Sequence, residues 1–127
     1  MNDITKLMVR TAYDALDEKL GQDIEIIDIQ NISVISDYLI LASGNNMNQI
    51  SAMVDLTDEK MAEAGFRSRR IEGNKNSTWI LMDYGDVVIH VFSKEDRAFY
   101  DLERIWRDGV TMTRDPFQAE HPCTSSQ

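Results

Sequence analysis

The sequence has little of what usually builds a chemical site. It holds one cysteine, Cys123, and two histidines, His90 and His121, in 127 residues, so a disulfide scaffold is excluded and no Cys/His cluster exists to hold zinc. Only two prolines occur, Pro116 and Pro122, and both, like the cysteine, follow residue 110 in a segment without periodicity, TMTRDPFQAEHPCTSSQ, which reads as a disordered tail over residues 111–127. No apolar run approaches the ~20 residues of a membrane span. The N-terminus, MNDITKLMVRTAYDALDEKL, interleaves charges where a signal peptide would be uniformly apolar, and a cytoplasmic location is expected. Positive charge is also short: 13 Lys and Arg face 22 Asp and Glu, a net charge of −9. Because a grip on the phosphate backbone rests on Lys and Arg neutralising phosphates, direct nucleic-acid binding is disfavoured and a basic partner is expected.

What is present is ordinary for one globular domain, here residues 1–110: 43% hydrophobic and 28% charged residues exclude wholesale disorder and collagen-like or low-complexity classes. Ile4, Met8, Ala12, Leu16 and Leu20 recur every four positions up to Gly21, which predicts a helix with the glycine as its terminator. Asp23 to Ile29 alternates and then changes phase, and Tyr38 to Ala42 (YLILA) is a short apolar run; these predict two strands, the second buried on both faces. Asn45 or Asn46 can cap a second helix over Ile50, Met53, Val54, Thr57, Met61 and Ala64 that stops at Gly65. A short charged strand over Phe66 to Glu72 follows, then two strands, Thr78 to Tyr84 and Val87 to Phe92, joined by the two-residue turn Gly85-Asp86. Ser93 opens a third helix with Phe99, Leu102, Ile105 and Trp106 on one face, ended by Gly109. The expected order is αββαβββα, an α/β domain with one mixed sheet of about five strands flanked by helices.

The candidates for chemistry are weak. Asp23 and Glu25 face away from Ile24 and Ile26, which is the pattern of a solvated face rather than of a metal site. Asp83 and Asp86 bracket a turn, where acids commonly act as turn formers. The turn Ser43-Gly44-Asn45-Asn46 lies between a strand and a helix, where a phosphate can be held. Nucleotidyltransferases use such a turn, yet they also need paired metal-binding acids on the strand that follows the helix, and here that strand reads FRSRRIE. No P-loop or GxGxxG is present. His90 alternates with apolar residues in its strand, as a hydrogen-bonded packing residue does, and the seven methionines are explained by core filling.

The strip Thr78 to Tyr84 is different. Alternation puts Trp79, Leu81 and Asp83 on one side and Ile80, Met82 and Tyr84 on the other. If one side faces helices and the other is exposed, a Trp with acids beside it and Arg70 and Glu72 on the neighbouring strand has the composition of a binding hot spot; composition alone supports equally the alternative that both sides are core.

The stretches DYLILASGNNMNQI, RRIEG, WILMDYGDVVIHVF and RAFYDLERIW together resemble the Iojap family, the ribosomal silencing factor S proteins, over residues 4 to 108. The sequence departs mildly from the family pattern at Ile80 and Met82 and in the loop Asn74 to Ser77, which has no second glycine. The resemblance implies a nucleotidyltransferase-like fold without catalytic acids, no enzymatic activity and no cofactor. It implies binding to the large ribosomal subunit through its fourteenth protein, steric exclusion of the small subunit, and damped translation when nutrients are scarce, with homodimers also expected. The implied recognition surface comprises Trp79, Leu81, Asp83 and Tyr84, with Arg70, Glu72 and Asp86 as polar neighbours. The competing expectations are a nucleotide-using transferase built on Ser43 and Gly44, and a dimeric adapter for another protein.

Overall fold

The four-residue recurrence at the start of the chain becomes helix α1, Asp3–Glu18, which buries Met8, Val9, Ala12, Ala15 and Leu16. The left-handed residue that follows the helix lies one position before the expected glycine: Leu20 takes the positive φ of 63°. Gly21 is needed for a different reason, because a Cβ there would lie 2.8 Å from the Met53 methyl and 2.9 Å from the Leu16 carbonyl. The structure, a computed structural model, describes residues 3–73 and 76–112. Among them no helix is long and apolar enough to cross a membrane.

The strands are β1 (Gln22–Asp28), β2 (Tyr38–Gly44), β3 (Arg70–Glu72), β4 (Trp79–Asp83), β5 (Val87–Ser93) and β6 (Val110–Met112), with helices α2 (Met47–Glu63), α3 (Lys94–Tyr100) and α4 (Leu102–Ile105). They form one six-stranded mixed sheet in the order β3-β4-β5-β2-β1-β6. The central pair β2 and β5 is parallel and the other pairings are antiparallel. Strand β2 is buried along its whole length, as a central strand covered on both faces must be. The phase change in β1 is real: Ile26 packs with α1 and α2, while Ile27 and Ile29 join the core on the other face. The Gly85-Asp86 turn forms as expected, with Gly85 at φ 87° and the Tyr84 N–H donating to the Val87 carbonyl at 2.9 Å.

Three expectations need correction. The sheet has six strands rather than five, because Val110, Thr111 and Met112 pair with Asp28, Ile27 and Ile26. Residues 111 and 112 therefore belong to the domain; residues 113–127, with Cys123 and the rest of the expected tail, lie outside the described residues. The single helix expected from Ser93 to Gly109 is two helices, broken at Asp101, which adopts a left-handed conformation (φ 50°, ψ 56°). That break rotates the second half, so Leu102 is buried while Phe99 and Ile105 are exposed, at 80% and 64%.

Helices α1 and α2 close one face of the sheet over Ile40, Ile80, Met82, Ile89 and Val91. The other face is only half covered. There Leu102 of α4 seals Ile27, Leu39, Leu41 and Phe92, and Trp79, Val88 and Trp106 pack at the margin, partly exposed.

Candidate functional site

The half-open face follows from pairing arithmetic. With Tyr84 opposite Val87 across the turn, Leu81 must face His90 and Trp79 must face Phe92, and both pairs are observed. Rows of in-register residues then cross the sheet: Glu72, Leu81, His90, Leu41 and Glu25 in one, and Arg70, Asp83, Val88, Leu39 and Ile27 in the next. Side chains in a row share a face.

Trp79 is the centre of this surface. Its indole N–H donates to His90 Nδ1 at 3.0 Å, and its ring lies 5.9 Å from Phe92 and 4.5 Å from Tyr100. Phe99 meets Tyr100 edge-on at 5.0 Å and 89°, extending the aromatic wall into solvent. Burial pushes the His90 pKa down to about 4, so the imidazole is neutral and acts as an acceptor that fixes the indole. Beside the indole opens a groove of about 380 Å³ lined by Glu72, Gly73, Trp79 and Leu81. At its rim Arg70 pairs with Glu72 at 3.1 Å and lies 3.7 Å from Asp83. Asp83 also accepts from the Gly85 N–H at 2.8 Å, so the turn holds its carboxylate.

Of the residues expected in the recognition surface, Trp79, Leu81, Asp83, Arg70 and Glu72 come together. Tyr84 does not. It lies on the closed face, nearly buried, with its hydroxyl donating to Asp58 Oδ1 at 2.8 Å; burial and this carboxylate raise the phenol pKa well above its usual value. Asp86 is exposed in the turn, where its carbonyl accepts from the Asp37 and Tyr38 N–H groups, and its carboxylate makes no contact with the strip among the described residues. Phe99, Tyr100 and Val88 were missed: the helical period assigned Phe99 to a buried face, and only the break at Asp101 exposes it. The hairpin arithmetic was a usable signal for the Trp79 and His90 neighbourhood.

The Ser43 turn is arranged differently from a phosphate cradle. Ser43 ends a buried strand, and its hydroxyl accepts from Arg97 Nη1 at 2.9 Å. Arg97, 7% exposed, also donates to the Asp23 carbonyl at 2.6 Å, to Glu25 Oε2 at 2.9 Å and to Glu103 Oε2 at 2.9 Å. Burial, with Glu103 nearby, raises the Glu25 pKa against the opposing pull of Arg97. At the start of α2, Asn46 accepts from the Gln49 N–H and Gln49 accepts from the Asn45 N–H, so donors that a phosphate would use are engaged within the chain. Among the described residues no three His, Cys, Asp or Glu side chains converge on a metal position.

A mixed sheet closed by helices on one face and carrying an aromatic strip with a charged rim on the other defines a single-domain α/β protein with a surface, rather than a cleft, as its candidate site. The profile of the family described as "Ribosomal silencing factor during starvation" (RsfS) matches residues 2–127. The chain belongs to the ribosomal silencing factor family, which is named for regulation of the ribosome rather than for catalysis. It is 36% identical over 103 residues to the ribosomal silencing factor RsfS of Bacillus subtilis, covering 81% of this chain and 87% of that protein. A crystal structure of a Chromobacterium violaceum protein superposes with a TM-score of 0.78 at 31% identity, covering 84% of this chain and 87% of that one. The mouse protein called "Mitochondrial assembly of ribosomal large subunit protein 1" is 30% identical over 94 residues, 72% of this chain and 41% of its own length.

Proposed function

We propose that this chain silences ribosomes by binding the large subunit through that subunit's fourteenth protein, on the intersubunit face, so that its bulk keeps the small subunit from joining and translation falls when nutrients are scarce. The observation that carries the reading is the half-open face of β4 and β5, where an oriented indole stands among aromatic neighbours inside a mixed Arg/Glu/Asp rim. Such a cluster is what protein hot spots are made of. The mouse relative's name supports a large-subunit partner, and the family's description supports action in starvation.

Electrostatics agrees with a protein contact. Residues 1–28 hold seven acids against three bases, and residues 37–64 hold five against one, so the body of the molecule repels rRNA and is drawn to a basic ribosomal protein. The strip itself carries both signs, which suits registering one partner. Steric exclusion needs neither turnover nor a cofactor, and the reading places the protein in the cytoplasm with the ribosomes. Self-association through the same face would compete with subunit binding.

The test adds purified protein to dissociated subunits in a sucrose gradient. It is expected to sediment with the large subunit and to stop reassociation; sedimentation with neither subunit, or heat from nucleotide and Mg²⁺ titrated in a calorimeter, would overturn the reading.

A further inference from the structure

Beside the Trp79 strip, on the same face, lies a second hollow of about 160 Å³ walled by Ile29, Ile35, Leu39, Val88, His90 and Trp106. Ser33 and Ser36 complete the lining, with their hydroxyls turned to the backbone: Ser33 accepts from the Ile35 N–H and Ser36 donates to the Gly85 carbonyl; the rest is apolar, and an apolar cavity of about 150 Å³ takes a benzene-sized guest. One polar group of this wall is both buried and without an acceptor among the described residues, the second nitrogen of His90. His90 is 8% exposed and its Nδ1 is taken by the Trp79 N–H, so its own proton sits on Nε2; that N–H finds no acceptor among the described residues. A buried donor is costly to leave unmade, and the group that satisfies it must bring an acceptor into an apolar surrounding. A peptide carbonyl beside an aliphatic or aromatic side chain does this.

We propose that this hollow is a subsite for one apolar side chain of the protein that covers Trp79, with His90 Nε2 donating to a backbone carbonyl of the same segment. The proposal rests on the open face being the partner-binding surface. Val88 stands in register with Asp83 on one side and Leu39 on the other, so strip and hollow form one continuous surface. Ile35, exposed at the lip, extends the apolar contact outward. The occupant belongs to a basic protein rather than to a second copy of this chain, because two copies would each bring a net charge of −9.

The experiment titrates the fluorescently labelled full chain with purified large ribosomal subunits and follows the chain's self-association separately by sedimentation. Val88→Phe fills the hollow, and Ile35→Asp sets a charge at its mouth on an exposed position that costs the fold little. Each is expected to weaken subunit binding at least tenfold while circular dichroism and thermal midpoint stay close to the parent. If Val88→Phe fails to fold, Ile35→Asp decides alone. Binding within twofold of the parent overturns the subsite while leaving the functional reading standing. A variant that loses self-association yet binds subunits normally gives the hollow to a second copy and also overturns it. Failure of the parent chain to bind large subunits removes the functional reading and the subsite together.

Discussion

On the face covered by α1 and α2, the strand residues Ile26, Ile40, Ile80, Met82, Ile89 and Val91 are buried and share one apolar core. On the opposite face Ile27, Ile29, Leu39, Leu41, His90 and Phe92 are buried, while Trp79, Leu81, Asp83 and Val88 stay partly exposed. The same strands supply both sets through a period of two. Side chains on the closed face serve stability, because each contact they make is internal; those on the open half are held in place by neighbours and still present surface. A surface left available for a partner can thus be read from which half of an alternating strand lacks a cover.

The separation of the two faces is tested most severely at Ile40. Ile40→Ala is expected to cost about 3 kcal/mol of stability in urea denaturation, with the folded fraction still binding large subunits normally. Weakened binding by that folded fraction would show that the faces are not separable. Trp79→Ala should do the reverse, costing about 2 kcal/mol of binding, roughly thirtyfold in affinity, seen as loss from the large-subunit peak of a gradient while the fold persists. A Trp79 variant that unfolds as readily as Ile40→Ala would move the indole into the core.

A third test sharpens the boundary between the faces. His90 is held near pKa 4 in the fold against 6.5 as a free side chain. The unfolded chain therefore binds a proton first as pH falls, and the stability that neutral His90 permits above pH 6.5 is lost progressively towards pH 4. Linkage puts the loss between pH 7 and pH 5 at about 2 kcal/mol. The carboxyls of Glu25 and Asp37, raised chiefly by burial, act with the opposite sign, so the measurement is the difference between the parent and His90→Gln, whose thermal midpoint should fall less over that interval. Equal falls would mean that the imidazole is already solvated. The smallest effect is expected at Tyr84→Phe, which removes the hydrogen bond to Asp58 for about 1 kcal/mol of stability and leaves subunit binding unchanged; a binding defect would return Tyr84 to the recognition surface.

Much of this was legible from residue order. Period, caps and turns located two helices, the start of a third and five strands, since α1, α2, β4 and β5 carry their own signals in Met8-Ala12-Leu16, Asn46, Trp79-Leu81-Asp83 and Gly85. What escaped was nonlocal or conformational. Strand β6 is three residues long and exists because β1 offers it an edge, which no local pattern announces. The break after α3 rests on Asp101 in a left-handed conformation that glycine normally signals; a continuous helical period carried across it, and the aromatic wall of Phe99 and Tyr100 went unseen. Tyr84 was grouped with Trp79 through family resemblance, although alternation alone had already put it on the other side.

The Arg97 guanidinium joins positions 74, 72 and 54 residues away in sequence, Asp23, Glu25 and Ser43, as well as Glu103 six residues on. Contacts of such separation close late, because the intervening chain must first be ordered. During synthesis the chain emerges from its N-terminus, so β1 and β2 appear with the Glu25 carboxylate and the Ser43 hydroxyl still lacking their cation. Helix α3 then brings two things in one heptapeptide: Arg97, which fastens the segment to β1 and β2 on the face that carries Trp79, and Tyr100, backed by Phe99, which walls the indole. Anchoring and completion of the aromatic surface are therefore a single late event in the birth of the molecule.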